Sequence, residues 1–412
     1  VLWKDGSTDW VPLKDMYASN PLETAEFAVA CQLQDEPAFA WWVDNILKTR
    51  NRIIEKIKSR YWKQEFKFGI LLPKNVEDAI RIDKRNGNYF WQDAIQKELK
   101  TVCVAYKPYK YDGKHISPEQ IRNERQKHLI GYKEITCHFV FDVKLDGSFT
   151  RKARFCANGS KTDVPKSLSY SSVVSRESVC IAFLLAGLND VEVSACDISG
   201  AYLNAPVGEK VWFVAGVEMG QNSGRAMVIT RALYGLKTSA KAWSKFFGKS
   251  LKEMGYTPCV ADPDVWMKPE TNNGGYRYWA YMLVYVDDCL SVNHDPGPEM
   301  EKLKSRYKLK NDTYGEPTRY LGANVAKYQI PETGQKYWSM YAYDYIKESC
   351  KMVQGWSENE GRKFKNNRDD AMAAKYRPEI DISAELGDDR ATQFQQMIGI
   401  LRWSIELGRI DI

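Results

Sequence analysis

The fold of this chain is decided by the stretch Trp279-Ala280-Tyr281-Met282-Leu283-Val284-Tyr285-Val286-Asp287-Asp288-Cys289-Leu290-Ser291-Val292. It is a continuous run of strand-forming residues that two acidic residues interrupt before it resumes. Such a run predicts a β-hairpin, with Asp287 and Asp288 at the turn between its strands. An Asp-Asp pair at a hairpin is often only a turn, so the pair alone leaves both a structural and a catalytic interpretation open.

The segments before the hairpin alternate between strand and helix patterns. Apolar periodicity predicts an amphipathic helix over 91–99, a buried helix over 179–188 and a helix over 239–254. Strands are predicted over 134–143, 154–157 and 191–198. The last of these strands ends near Asp197, so Asp197 and the hairpin pair can meet on adjacent strands of one sheet.

The first 45 residues form a small separate pattern. They predict a short strand, a tight Asp5-Gly6 turn, a second strand around Trp10-Val11-Pro12-Leu13 and a helix that begins near Pro21. The letters W-K-D-G-S-x-x-W-V-P-L resemble the closing strand and C-terminal helix of a chromodomain-like barrel. That resemblance implies a module that reads a histone tail, with Trp3 and Trp10 as the suggestive cage aromatics. A linker strand pair is the alternative.

Composition indicates a folded protein with more than one globular unit. The chain has 412 residues, of which 44% are hydrophobic and 13% aromatic. A formal net charge of +6 permits a nucleic-acid partner without requiring one. Basic residues cluster over 48–67 and over 151–166, where they form either phosphate-facing patches or solvated faces.

Several classes of protein are disfavoured by the remaining composition. The nine cysteines include no C-x-x-C pair, which is typical of free thiols in a reducing compartment, and no zinc site is expected. The four histidines form no H-E-x-x-H motif. No apolar run approaches the length of a membrane span and no signal sequence opens the chain, so we expect an intracellular protein without a membrane partner.

The three aspartates suit one kind of chemistry. Phosphoryl transfer to a growing strand needs a nucleophilic 3′-hydroxyl and a neutralised pyrophosphate, and two divalent ions about 4 Å apart can provide both. Magnesium prefers hard oxygen ligands, so two or three aspartates together with substrate phosphates suffice. If Asp197, Asp287 and Asp288 converge, they are therefore candidates for a site with two Mg²⁺ ions, with Mn²⁺ as an alternative.

Six ordered segments resemble those of copia-type retrotransposon reverse transcriptases. They are Lys152-Ala153-Arg154-Phe155, Asp197-Ile198-Ser199-Gly200-Ala201-Tyr202-Leu203-Asn204-Ala205-Pro206, Arg231-Ala232-Leu233-Tyr234-Gly235-Leu236-Lys237, Tyr285-Val286-Asp287-Asp288, Tyr320-Leu321-Gly322 and Ile398-Gly399-Ile400-Leu401-Arg402-Trp403. The resemblance implies an α+β fold arranged as a right-hand polymerase with a small N-terminal β/helical extension. We expect fingers over about 91–190, a palm over 191–326 and a thumb over 327–412. A basic helical connector over 46–90 would follow the small unit over 1–45.

The resemblance also implies a role for each matching residue at the reacting end. Asp197 and Asp287 would bind both metal ions, Asp288 would assist, and the carbonyl of Ile198 would add a ligand. Tyr202 would lie beneath the incoming sugar and exclude a 2′-hydroxyl; core packing is its alternative role.

Further roles concern the nucleotide and the primer. Lys152 and Arg154 would grip the triphosphate, and Gly235 would let the backbone approach the nucleotide or template closely, unless it only begins a helix. Lys310 would protonate the leaving pyrophosphate or else be a solvated charge. The expected primer and template contacts are Tyr285 and Trp338, of which Trp338 is equally a candidate core anchor. Thr238-Ser239 departs from the family pattern Q-[AS], so a glutamine contact to the template is absent.

These expectations predict an RNA- and DNA-templated DNA polymerase that uses an RNA template, a DNA primer and deoxynucleoside triphosphates. The chain begins at Val1 and reads as an interior piece of a polyprotein with integrase and ribonuclease H regions, located in a cytoplasmic virus-like particle or in the nucleus. One alternative is another palm-type polymerase or a nucleotide cyclase, against which Tyr202 and the Y-V-D-D box argue. The other is a catalytically inactive relic that binds nucleic acid or chromatin.

Overall fold

The structure is a computed structural model that describes residues 10–61, 66–144, 148–162, 171–359, 361, 384 and 386–406. The chain divides into two compact units. One holds the described residues of Val1–Lys67 and Ser349–Ile405, and the other holds those of Phe68–Glu348 together with Glu406. The mixture of helices and strands confirms the predicted α+β class. The domain boundaries drawn from the sequence stay predictions.

The helices and strands follow one another along the whole described chain. The helices are α1 (Leu13–Ser19), α2 (Pro21–Ala30), α3 (Val43–Tyr61), α4 (Val76–Asn86), α5 (Phe90–Val102), α6 (Pro118–Asn123), α7 (Arg176–Leu188), α8 (Ala201–Asn204), α9 (Ser239–Glu253), α10 (Gly297–Arg306), α11 (Tyr343–Asn359) and α12 (Asp388–Glu406). The strands are β1 (Phe66–Lys67), β2 (Ile70–Leu71), β3 (Tyr106–Pro108), β4 (Lys110–Tyr111), β5 (Lys114–His115), β6 (Lys133–Glu134), β7 (Cys137–Val143), β8 (Arg151–Ala157), β9 (Glu192–Asp197), β10 (Val211–Val214), β11 (Ala226–Ile229), β12 (Thr257–Pro258), β13 (Val265–Thr271), β14 (Arg277–Tyr285), β15 (Asp288–Asn293), β16 (Arg319–Tyr320), β17 (Ala323–Gln329) and β18 (Lys336–Tyr341).

From Leu13 the first unit is helical through α1 and α2, and the strand predicted around Trp10-Val11-Pro12-Leu13 is wrong. Residues 10–12 lie outside any strand, and α1 begins at Leu13. Pro12 explains the difference, because it has no N–H for a strand ladder while its carbonyl accepts hydrogen bonds from the backbone N–H groups of Asp15 and Met16 at 2.9 and 3.1 Å. The helix predicted near Pro21 is confirmed as α2. The predicted first strand and Asp5-Gly6 turn lie outside the described residues.

A five-stranded sheet forms the centre of the second unit, in the order β12-β13-β14-β15-β9. The hairpin predicted from the decisive stretch is confirmed as β14 and β15. Alternate residues of β14 face opposite cores, as the two-residue period of a strand requires. Met282 packs on the side of Trp243 in α9, and Leu283 packs on the side of Phe183 in α7. The hairpin is therefore held from both faces.

Helices α7 and α9 confirm the predicted helices on either side of this sheet. Helix α7 begins three residues earlier than predicted because the Ser175 side chain caps it, accepting a hydrogen bond from the backbone N–H of Ser178 at 3.1 Å. Helix α9 begins at Ser239, as predicted, and ends one residue early. The amphipathic helix predicted over 91–99 is confirmed within α5.

The strand predicted over 134–143 is divided between two sheets. Strand β6 pairs with β10 in a four-stranded sheet, whereas β7 pairs with β8 in a hairpin. Between them the backbone N–H of Ile135 still donates to Trp212 at 2.9 Å, and the Ile135 side chain is buried. The apolar pattern continues through the crossing, so it could not reveal that the chain changes sheets.

Candidate active site

Three carboxylates meet at one end of the central sheet. Asp197 is the last residue of β9, and its Cα partner is Asp288, the first residue of β15. Asp287 lies in the turn just before, where its backbone carbonyl accepts a hydrogen bond from the N–H of Ile198 at 2.8 Å. The structure therefore brings Asp197 next to an acidic pair that begins 90 residues later in the sequence. Of that pair, Asp287 lies in the turn and Asp288 lies in the strand.

The turn of the hairpin has an unusual backbone that a neighbouring helix supports. Val286 has a φ of 57°, which is rare for a β-branched residue. The indole N–H of Trp243 donates a hydrogen bond to the Val286 carbonyl at 2.7 Å. Trp243 is itself buried in the core beneath the sheet. This contact fixes the backbone immediately before the two acids.

Negative charge accumulates at this corner of the molecule. Burial raises the pKa of Asp288 to about 7, and the charges of Asp287 and Asp197 add to the rise. Burial also raises the pKa of Asp287, again with help from Asp197, while the charges of Lys152 and Lys310 lower it. Like charges in a poorly solvated site resist ionisation together, so the cluster favours a cation nearby.

The ammonium group of Lys310 contacts the cluster. Its Nζ lies 2.6 Å from Oδ2 of Asp197, and this hydrogen bond raises the pKa of Lys310. The lysine begins a short 3₁₀ turn, Lys310–Asp312. The preceding residue, Leu309, forms an isolated antiparallel β-bridge with the fully buried Ile198. The sequence prediction thus placed Lys310 near the reacting end, and the structure gives it a carboxylate partner.

The donor set suits a hard divalent cation. Carboxylate oxygens are the ligands that Mg²⁺ prefers, and the mutual repulsion of the three groups is what a bound cation relieves. Across the described residues, however, no group of three or more His, Cys, Asp and Glu side chains forms a ready-made metal cluster. Asp197, one of the three carboxylates, is engaged by Lys310, so a metal ion bound there would have to displace the lysine.

One basic residue of β8, Lys152, lies close enough to Asp287 for its charge to lower the pKa of that aspartate. Lys152 and Arg154 are two positions apart in a strand and so share one face. Burial is the first cause that lowers the pKa of Lys152, followed by the charge of Arg154, whereas Asp142 and Asp287 act in the opposite direction. Lys152 therefore interacts with the aspartate cluster, and Arg154 lies on the same face of β8.

Tyr202 and Gly235 approach the site from two other segments. Tyr202 lies in the short helix α8 and is half-buried, and burial followed by the charge of Asp287 raises the pKa of its hydroxyl. Gly235 has a φ of 89°, and a Cβ there would lie 2.1 Å from the carbonyl oxygen of Ala157. The approach that requires this glycine is thus to protein backbone, and its contact with a nucleotide stays a prediction.

The two residues predicted to contact primer and template have different surroundings. Tyr285 ends β14 and is exposed, opposite Asp288 in the strand register. Trp338 in β18 packs against Phe183 with ring centroids 5.5 Å apart, and the Lys327 ammonium lies 5.3 Å from its ring centroid. Trp338 is therefore a packing residue between β18 and α7, and a contact with primer remains a prediction.

Comparison with known proteins identifies the family to which this geometry belongs. A family model described as "Reverse transcriptase (RNA-dependent DNA polymerase)" matches residues 127–354, more than half of the 412 residues. The matched region includes β9 and the β14–β15 hairpin with all three aspartates. The chain belongs to the reverse transcriptase family.

Curated relatives confirm the copia type that the six motifs predicted. The Retrovirus-related Pol polyprotein from transposon TNT 1-94 of Nicotiana tabacum is 28% identical over 217 residues, which cover 50% of this chain and 16% of the relative. The Transposon Ty1-DR4 Gag-Pol polyprotein of Saccharomyces cerevisiae is 23% identical over 308 residues, covering 73% of this chain and 18% of the relative. The chain spans less than a fifth of the length of these relatives.

Within the part of this reverse transcriptase region that the structure describes, no helix has both the length and the apolar character needed to cross a membrane.

Residues that sequence reasoning did not assign also surround the site of this reverse transcriptase region. Glu98 in α5 accepts a hydrogen bond from the backbone N–H of Phe155 at 3.0 Å, beneath the two basic residues of β8. The Nζ of Lys237 donates to the carbonyl of Thr162 at 2.7 Å. Tyr234 contacts Tyr202. Lys237 and Tyr234 belong to the L-Y-G-L-K motif, so the sequence could have indicated that they lie near the site. No sequence pattern around Glu98 indicated its hydrogen bond with Phe155.

Proposed function

We propose that this chain is an RNA- and DNA-templated DNA polymerase that transfers nucleotides with two divalent metal ions. The observation that carries the proposal is the pairing of Asp197 with Asp288, with Asp287 in the adjoining turn, in a member of the reverse transcriptase family. The sheet ladder holds Asp197 and Asp288 on adjacent strands, so the separation of their Cα atoms is fixed by backbone hydrogen bonds. That rigidity suits a reaction whose catalysis consists mainly of positioning and charge stabilisation.

Asp197, Asp287 and Asp288 would hold the ions, with the carbonyl of Ile198 as a further ligand. When bound, Mg²⁺ or Mn²⁺ would lower the pKa of the primer 3′-hydroxyl and neutralise the pyrophosphate. Asp197 must exchange its contact with Lys310 for this role. Lys310 would then be free to meet the pyrophosphate and donate a proton to it, since a lysine side chain is protonated at neutral pH.

The remaining site residues would select and orient the nucleotide. Lys152 and Arg154 would hold the triphosphate, since cationic donors stabilise the charge that grows during transfer. Tyr202 would exclude a ribose 2′-hydroxyl. Gly235 would act indirectly by allowing the L-Y-G-L-K segment to lie against β8. The substrates would be an RNA template, a DNA primer and deoxynucleoside triphosphates.

The finer architecture and setting belong to the same proposal. The β7–β8 hairpin and its neighbours would be fingers, the five-stranded sheet a palm, and the helices after Tyr341 a thumb that follows duplex backbone. Tyr285 and Trp338 would lie on the primer side. Because the curated relatives are named as Pol and Gag-Pol polyproteins, integrase and ribonuclease H regions would be neighbours in one polyprotein, in an intracellular virus-like particle.

A magnesium-dependent primer extension assay tests the proposal. The purified chain is given a DNA primer on an RNA template, and on a DNA template, beside the variant Asp287→Asn. A matched control is Asp112→Asn, because Asp112 is an exposed aspartate in the β4–β5 turn with a φ of 48°, a conformation that asparagine tolerates. We expect extension by the parent and by Asp112→Asn, and a loss of at least about a thousandfold for Asp287→Asn.

The inactive-relic alternative predicts a different result. If neither the parent nor Asp287→Asn extends while both bind primer-template in a gel-shift assay, the polymerase proposal is wrong. The chain would then be a nucleic-acid-binding relic. Equal extension by the parent and Asp287→Asn would instead reject the metal site.

A further inference from the structure

Tyr234 contacts two residues that have different proposed roles, Tyr202 in sugar selection and Arg154 in triphosphate binding. Its ring meets that of Tyr202 with centroids 5.0 Å apart and an interplanar angle of 64°. On the same ring, the guanidinium carbon of Arg154 lies 6.0 Å from the centroid. Burial raises the pKa of Tyr234 to about 12, so its hydroxyl is protonated at physiological pH.

We propose that Tyr234 is a positioning residue that holds Tyr202 in the place from which it discriminates deoxyribose from ribose. The inference rests on the proposed polymerase function and deepens it. It assigns sugar selection to a pair of rings in edge-to-face contact from different segments, α8 and the L-Y-G-L-K motif, instead of to Tyr202 alone.

The physical reason is that a side chain excludes a larger substrate only if moving that side chain aside costs free energy. An aromatic ring that can move aside accepts the larger substrate at little cost, so selection against a substrate needs a fixed obstruction. Tyr202 has space into which it could move, because it also lines a cavity of about 120 Å³ together with Trp243, Phe247 and Val286. The edge-to-face contact with Tyr234 is the described aromatic contact that opposes such movement.

Tyr234 is itself held firmly by backbone. Its carbonyl accepts a hydrogen bond from the N–H of Ala157 at 2.7 Å. The next residue, Gly235, lies so close to the Ala157 carbonyl that no side chain fits there. The ring is thus anchored to β8, the strand that also carries Arg154, and it couples the position of Tyr202 to the strand proposed to bind the triphosphate.

The contacts are made by the ring and not by the hydroxyl, which defines the experiment. Tyr234→Leu removes both ring contacts, whereas Tyr234→Phe retains them. Single-nucleotide incorporation by the full chain is measured with a deoxynucleoside triphosphate and with the matching ribonucleoside triphosphate. We expect Tyr234→Leu to lower the ratio of the two kcat/KM values by about three- to tenfold and Tyr234→Phe to leave it within about twofold.

Tyr17→Leu is the control for general loss of packing. Tyr17 makes a similar edge-to-face contact with Trp42, at 4.8 Å and 66°, in the separate core of the first unit. It should lower thermal stability without changing the sugar ratio. Tyr202→Val serves as the reference for complete loss of selection, and Tyr234→Leu should fall between it and the parent.

The outcomes separate the inference from the function on which it rests. If Tyr202→Val accepts ribonucleotides while Tyr234→Leu keeps the parent ratio, Tyr234 does not position the gate and the inference is wrong. Equal slowing of both substrates by Tyr234→Leu contradicts it as well, because that is the result of structural damage alone. If the parent incorporates no nucleotide at all, the proposed function fails and the inference fails with it.

Discussion

Lys310 is the counter-ion of Asp197 in this structure. Its effect on metal binding can therefore be measured without an assay of catalysis. Its ammonium and a divalent ion would compete for Asp197, the carboxylate that it contacts at 2.6 Å. Because the pair is partly exposed, its strength is about 0.2–1 kcal/mol. We expect Lys310→Met to lower the Mg²⁺ concentration that gives half of the maximal rise in melting temperature by about two- to fivefold.

Lys308→Met is the matched control for this prediction, since Lys308 is an exposed lysine two residues away. It should leave the half-saturating Mg²⁺ concentration unchanged. An unchanged value for Lys310→Met would mean that the lysine does not compete for the metal position. A rise in melting temperature that Asp197→Asn retains in full would place the ion elsewhere.

Asp262 provides a second prediction, which concerns stability against pH. Its Oδ2 accepts hydrogen bonds from the backbone N–H of Ser175 at 3.0 Å and from the hydroxyl of Ser178 at 2.7 Å, at the beginning of α7. Burial opposes ionisation, but these hydrogen bonds outweigh it and lower the pKa of Asp262 below 3.8. A lowered folded pKa stabilises the protein above the unfolded pKa, and this stability is lost as pH falls through the folded pKa.

Asp262→Asn should therefore destabilise the protein by about 1 kcal/mol at pH 7, a value kept small by solvent screening. The difference from the parent should shrink as the pH falls below about 4. Urea unfolding at pH 7, 5 and 3 measures it. A difference that is constant over these values would show that the ionised carboxylate is not the stabilising form.

Among the elements, β8 and the L-Y-G-L-K segment lie in close backbone contact at Gly235. A Cβ at Gly235 would lie 2.1 Å from the carbonyl oxygen of Ala157, and its φ is 89°. Gly131 also has a positive φ, 74°, but no atom lies within 4 Å of its Cβ position. Gly235→Ala should cost more than about 2 kcal/mol, whereas Gly131→Ala should cost about 1 kcal/mol.

Comparison of the two variants separates backbone strain from steric contact. Chemical denaturation measures both free energies of unfolding. Equal losses would mean that the φ angle alone requires the glycine and that β8 can move away. Because Tyr234 adjoins Gly235, we also expect Gly235→Ala to weaken sugar selection if the protein folds.

The sequence predicted well those elements whose secondary structure is determined by their own residues. The run Trp279–Val286 with paired acids specifies a hairpin through its own strand propensity, and the core alternation within β14 follows from the same residues. The strand predicted around Trp10 was wrong because Pro12 caps a helix that begins at Leu13. The crossing at Ile135 could not be predicted because the residue is apolar in either sheet.

Within the site, too, features determined by short motifs were predictable, whereas contacts between distant segments were not. Asp197 and Asp287 were found through their motifs, but the pairing of Lys310 with Asp197 joins residues 113 positions apart. The ring contact of Tyr234 with Tyr202 also depends on packing between segments distant in sequence. Only the three-dimensional structure supplies such contacts.

For the whole molecule, the two units have separate hydrophobic cores. Ala25, Ala28 and Trp42 form part of one core in the first unit, while the second unit contains the cores around the central sheet and every proposed metal ligand. Units with their own cores unfold as separate cooperative transitions unless they stabilise one another. A ligand stabilises only the unit whose folded state binds it.

Scanning calorimetry of the full chain should therefore resolve two transitions. Addition of Mg²⁺ should raise the temperature of one and leave the other unchanged. The variant Trp42→Ala, in the first core, should lower only the transition that Mg²⁺ does not affect, whereas Asp287→Asn should abolish the Mg²⁺ shift of the other. A single transition that both Mg²⁺ and Trp42→Ala displace would mean that the units unfold together. Stability in the region of Trp42 would then be coupled to the occupancy of the aspartate cluster.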